Sequence, residues 1–175
     1  MKHMKNILLI ISAAALLSVC ACSTATPVPT IEGSYAYEHA FSYDMYGNHF
    51  DVHETGTMDF YADSTALDSA RQVYTVTFPE GDTTSIVFNY ISPSIWRLEG
   101  DTLFFAGIKD RFRMEVLEGN ERVTEMAQKI VAAYSGGIDY EYHFHIDTLS
   151  TDRLQWSFAY RDGHRDTWEF NRQEK

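Results

Sequence analysis

The chain of 175 residues has only two cysteines, Cys20 and Cys22, and none after them. No disulfide is available to hold whatever folds downstream, so an apolar core must do it, which a domain of this length can supply. Positive charge is also scarce. Against 25 Asp and Glu stand 14 Lys and Arg, the net charge is -11, and no basic run occurs. That balance argues against nucleic acid as a partner, since binding to phosphate backbones is driven by cationic side chains. Gly-x-Ser-x-Gly, His-Glu-x-x-His, a phosphate loop and a dinucleotide glycine pattern are all missing, so no motif points to an enzyme or to a cofactor. Internal repeats and low-complexity segments are absent. The longest apolar stretch, Ile7 to Val19, is too short to span a bilayer, which takes about 20 residues.

That stretch is preceded by Lys2 and Lys5 and ends in small residues, the layout of a secretory signal over residues 1–21. Within it, Leu17-Ser18-Val19-Cys20-Ala21-Cys22 resembles a lipobox, the bacterial lipoprotein signal in which a cysteine after a small residue becomes acylated. Cys22 follows Ala21, whereas Cys20 follows the β-branched Val19, so Cys22 is the expected lipidation site. The other reading is an ordinary secreted protein cut after Ala21, with Cys22 a free thiol. Ser23 to Thr30, with Pro27 and Pro29, has no hydrophobic period and reads as a tether. Residues 22–30 are therefore the expected lipidated start and tether, and 31–175 a single domain. An acidic body is repelled by anionic headgroups, so the lipid anchor must hold it at the membrane. The first acidic residue after Cys22 is Glu32, too late for the acidic patch that sends some lipoproteins to the cell surface. The expected location is the cell envelope, at the outer membrane and facing the periplasm.

Beyond the tether, alternation dominates. Tyr35, Tyr37, His39, Phe41 and Tyr43 share one face of a strand, as expected where one face is buried. After a turn at Asp44 to Asn48, a second strand carries Phe50, Val52, Met58 and Phe60, with Gly56 marking a bulge or bend. A third holds Tyr74, Val76 and Phe78, and Pro79 to Asp82 turns it into a fourth with Ile86, Phe88 and Tyr90. Ser92-Pro93-Ser94 is expected to interrupt, Ile95 to Leu98 to resume, and Glu99 to Asp101 to turn into Leu103 to Ala106. Phe112, Met114 and Val116 suggest one more strand. The period then changes. Val123, Met126, Ala127, Ile130, Val131 and Tyr134 recur at three and four residues, predicting an amphipathic helix over 121–134 with Asn120 as N-cap and Gly136-Gly137 as stop. An uninterrupted apolar stripe places that helix on a barrel flank or end. Three strands follow: Tyr140, Tyr142, Phe144 and Ile146; then Leu154, Trp156, Phe158 and Tyr160; then Trp168 and Phe170, with turns at Leu149 to Asp152 and Asp162 to His164. Many short antiparallel strands with one helix predict a mainly β barrel or sandwich.

Three segments add a resemblance. Ile31-Glu32-Gly33-Ser34-Tyr35 resembles the Gly-x-Trp opening of a first barrel strand, with Tyr35 in place of the tryptophan. Trp96 to Leu103 resembles a mid-domain tryptophan followed by a Gly-Asp-x-Leu hairpin, and the run from Tyr142 to Phe170-Asn171-Arg172 resembles terminal strands ending in an aromatic and an arginine. Together they are similar to the lipocalin-like lipoproteins of Gram-negative bacteria, within the wider calycin group. The resemblance implies an antiparallel up-and-down β-barrel of about eight strands, a small apolar or amphipathic ligand inside it, and Arg172 packed over Tyr35 at the base.

The candidate site residues fall in two groups. His39 and Glu54 are in register with the aromatic faces of their strands; pointing inward with Tyr35 and Tyr37, they would orient a ligand in an apolar barrel. The alternative is a bulge at Gly56 turning Glu54 outward, and a core His39 satisfied by a tyrosine hydroxyl. His143 and His145, two apart on one strand, would share a face and a metal ion. Yet Glu141, His143, His145 and Asp147 read equally as an outward polar face, and His49, Asp51 and His53 repeat the arrangement. The rival functions are therefore a structural or inhibitory partner of another envelope protein and a periplasmic metal carrier.

Overall fold

The computed structural model describes residues 29–108, 110–135, 141–161 and 163–174. The signal segment 1–21, Cys22, most of the tether, Gly136-Gly137, Tyr140 and Asp162 lie outside the described residues. Among the described residues nine strands and one helix follow in order: β1 (Gly33–Met45), β2 (Asn48–Phe60), β3 (Thr65–Thr77), β4 (Thr83–Glu99), β5 (Thr102–Gly107), β6 (Arg113–Glu118), α1 (Glu121–Ser135), β7 (Glu141–Leu149), β8 (Arg153–Ala159) and β9 (Arg165–Arg172). Pairing runs β3-β2-β1-β9-β8-β7-β5-β4, and β4 pairs with β3, so eight antiparallel strands close into an up-and-down barrel. Closure leaves those eight without an open edge. The ninth, β6, pairs with β4 above β5, over residues 87–91, while β5 takes residues 94–99 of the same strand.

Alternating side chains build the interior. Tyr35, Tyr37, Phe50, Val52, Met58, Phe60, Tyr74, Val76, Ile86, Phe88, Leu103, Phe105, Leu154, Trp156 and Phe170 are all buried. Around the β1–β2 hairpin, Tyr46 and Gly47 both have positive φ, 55° and 78°. That is the twist-matched two-residue turn expected between paired strands.

Two expectations about the strands are corrected. No interruption occurs at Ser92-Pro93-Ser94; β4 runs through it, with Pro93 opposite Leu67. The Pro93 carbonyl accepts a bond from the Ile108 amide at 3.0 Å. Its missing N–H falls on that same side, where β4 exchanges β6 for β5, so no ladder bond is lost. Nor is there a bulge at Gly56, because β1 and β2 stay in register from Gly33↔Phe60 to Met45↔Asn48. A bulge does occur at Asp147, where the β7–β8 register shifts between Ile146 and Thr148. It brings Leu149 back to the core side after the alternation Tyr142, Phe144, Ile146.

The helix closes one end of the barrel. Val123, Ala127 and Ile130 are buried against inward residues Phe50, Val52, Tyr74, Val76, Ile86 and Phe88. Asn120 caps it as expected, its Oδ1 accepting from the Arg122 amide at 3.0 Å while its Nδ2 donates to Thr84 Oγ1 at 2.8 Å. Arg122 pairs with Glu80 and Asp82 and lies 3.6 Å over the Phe78 ring, tying the first turn to the β3–β4 hairpin.

The opposite end is sealed by Arg172. Its guanidinium donates to the carbonyls of Glu32 (2.7 Å) and Thr30 (2.6 Å) and to the Tyr35 hydroxyl, with Cζ 4.8 Å from the Tyr35 ring centroid. Gly33 is required there: its φ is +142°, and a Cβ would lie 2.5 Å from Arg172 Nη1.

Candidate functional site

Between the sealed base and the helix lies a cavity of about 350 Å3. Its wall is largely aromatic, including Phe105, Tyr142, Phe144, Trp156, Trp168 and Phe170, and one side carries Glu54, Asp68, Gln72 and the hydroxyls of Tyr37 and Tyr90. The size and the balance of apolar wall and few polar groups are those of a small-molecule pocket. An annex of about 160 Å3 continues under Phe112, Met114 and Tyr134. A larger pocket of about 580 Å3 lies on the outer face near Arg71 and Arg113.

The polar cluster is built by four consecutive strands. Tyr37 comes from β1, Glu54 from β2, Asp68 and Gln72 from β3 and Tyr90 from β4. Gly56 sits directly opposite Tyr37, and having no side chain it leaves room for the Tyr37 ring to lean across β2. The Tyr37 hydroxyl then lies 2.6 Å from Glu54 Oε1 and 2.8 Å from Asp68 Oδ1. Tyr90 reaches the same two carboxylates, at 2.7 Å from Glu54 Oε1 and 2.7 Å from Asp68 Oδ2, and the two hydroxyls are 3.0 Å apart. Gln72 Nε2 donates to Glu54 Oε2 at 2.6 Å.

Two tyrosines bring only two protons to this ring of oxygens, each already contacted by both carboxylates. Asp68 is the carboxyl that takes a third proton as pH falls. Burial pushes its carboxyl up to about 7, with the neighbouring Glu54 charge adding to the rise and the tyrosine hydrogen bonds opposing it. Burial likewise drives the Tyr37 and Tyr90 phenols far above their ordinary range, so both remain hydroxyls.

Each candidate residue now has a place. Glu54 is 8% exposed and points into the barrel, as does His39 at 8%. The two are cross-strand neighbours. His39 stacks on Trp168 at 4.4 Å, and among the described residues no tyrosine satisfies it: its Nε2 is buried without a hydrogen-bond partner there, 3.5 Å from Asp166 Oδ2. Tyr37 lines the cavity, whereas Tyr35 lies at the sealed base outside it. His143 and His145 are on the outer face, His143 Nε2 lying 3.1 Å from Glu141 Oε1 and His145 Nδ1 3.5 Å from Asp101 Oδ2. The strand of His49, Asp51 and His53 borders β1 and β3, not β7. No group of three metal-ligating side chains forms among the described residues.

Sequence reading missed Asp68, Gln72 and Tyr90 as site residues. The signal was present on β3, where Ala66, Asp68, Ala70 and Gln72 continue the inward phase of Tyr74 and Val76 towards the N-terminus. Compared with known proteins, the chain matches no family model and no curated protein. The fold itself, a closed eight-stranded antiparallel barrel, is consistent with a lipocalin-like form.

Proposed function

We propose that this protein is a lipid-anchored binding module of the cell envelope, which holds a small amphipathic molecule inside its barrel. One observation carries the reading: side chains leave the interior unfilled, and the cavity has an aromatic wall with one compact polar side. A small eight-stranded barrel is just wide enough for its own side chains to fill. Leaving about 350 Å3 open forfeits packing, so the space is held for something else. The signal segment, Cys22 and the proline-containing tether support the anchored location, and the net charge of -11 leaves the acyl group as the means of staying at the membrane.

Titration with the neutral apolar dye N-phenylnaphthylamine tests the cavity. Bound dye is expected to accept energy from Trp156 and Trp168, and Ser92→Trp, which fills the cavity from β4, to abolish the signal. Absence of dye binding to the unaltered protein would sink the reading. Metabolic labelling with a fatty-acid analogue tests the anchor: label on the wild type and none on Cys22→Ala is expected, and an unlabelled wild type refutes anchoring.

A further inference from the structure

The cavity's charges say which kind of head group belongs in it. Its described lining contains two carboxylates and one histidine, with no lysine or arginine. Neither Glu54 nor Asp68 has a cationic partner among the described residues, although Glu54 is buried and Asp68 partly so. Unpaired carboxylates in such a place are costly. From this we infer that the ligand's polar end is a protonated amine seated on Glu54 and Asp68, with its apolar body against Trp156, Trp168 and Phe144. The inference rests on the binding reading above and narrows it to small cationic amphiphiles.

Three further features agree. His39, nine-tenths buried in the same wall and paired across the strand with Glu54, has no hydrogen bond at Nε2 among the described residues, the nearest carboxylate oxygen being Asp166 Oδ2 at 3.5 Å. A polar wall with an unmet hydrogen bond is suited to a polyvalent donor, and an ammonium group offers three N–H bonds. The aromatic wall of Trp156, Trp168, Phe144 and Phe170 suits the apolar body that such an amine carries. Finally, the chain's charge of -11 raises the local concentration of cations and repels anions. A fatty-acid carboxylate would instead add a further negative charge beside Glu54 and Asp68.

The test is calorimetric titration of the full chain at pH 7.5 with phenethylamine, phenethyl alcohol and phenylpropionate, which share a body and differ in head group. The amine is expected to bind at least about tenfold tighter than the alcohol, as charge-assisted hydrogen bonds exceed neutral ones, with phenylpropionate weakest. In a Glu54→Gln, Asp68→Asn variant the amine's advantage should vanish while the alcohol still binds; an advantage that persists there overturns the assignment. If that variant does not fold, the head-group series on the unaltered protein decides alone. Equal or tighter binding of the alcohol, or of phenylpropionate, overturns the amine assignment and leaves the cavity reading standing. Binding of none of the three while N-phenylnaphthylamine binds overturns only the amine assignment; failure of the dye as well removes both.

Discussion

Asp68 shows how much a single side chain decides. In the unfolded chain its carboxyl ionises at the ordinary value of 3.8, and in the barrel near 7, chiefly through burial. Between those values the folded protein holds the extra proton, so stability falls as pH rises from about 4 to about 7 and is level above. Urea melts across that range are expected to show a loss on the order of 4 kcal/mol, and Asp68→Asn to flatten it. A wild-type profile already flat between those limits would place the proton elsewhere. Gly56 works in the opposite sense, by being small. A Cβ there would come within 2.7 Å of Ala70 Cβ and of the Ser69 carbonyl, and 2.9 Å from Tyr37 Cζ. Gly56→Ala should therefore cost about 1–3 kcal/mol in a denaturant melt, as overpacking does. An unchanged midpoint would mean that Tyr37 moves freely and does not hold the cluster together. Glu54 and His39 were legible from alternation alone. Asp68 was not, because Asp68, Ser69, Arg71 and Gln72 break the apolar pattern by which strands are recognised, and they do so at the polar site.

At the level of elements, the helix is where local and tertiary signals agree. Its apolar residues at three and four spacing, and Asn120 before them, are readable because both features depend on neighbouring residues only. Asn120→Ala removes the cap and the bond to Thr84, and thermal unfolding should report a loss of about 1 kcal/mol. No loss would show that the Arg122 contacts to Glu80 and Asp82 alone fix the first turn. Pro93 marks the limit of such reading. A proline inside a strand looks like a break, and its tolerance depends on where β4 changes partners, a fact about pairing that no local pattern contains. Likewise, whether the histidines of β2 and β7 lie side by side depends on strand order, which separates them.

For the whole molecule, closure at both ends explains why the middle can stay open. Arg172 seals the base through three hydrogen bonds, and α1 buries Val123, Ala127 and Ile130 across the other end. The apolar clusters at these ends supply the stability that a disulfide-free domain needs, so the cavity between them can hold polar groups and space. On the proposed reading the barrel binds and an acylated Cys22 sets the location. Native mass spectrometry of the protein purified from its own membrane tests this most directly, because one spectrum reports covalent acylation and non-covalent cargo. The expected result is a covalent mass of the chain from Cys22 plus acyl groups, with an additional small-molecule mass that is lost on denaturation. Identical masses under native and denaturing conditions would contradict a barrel that carries a ligand.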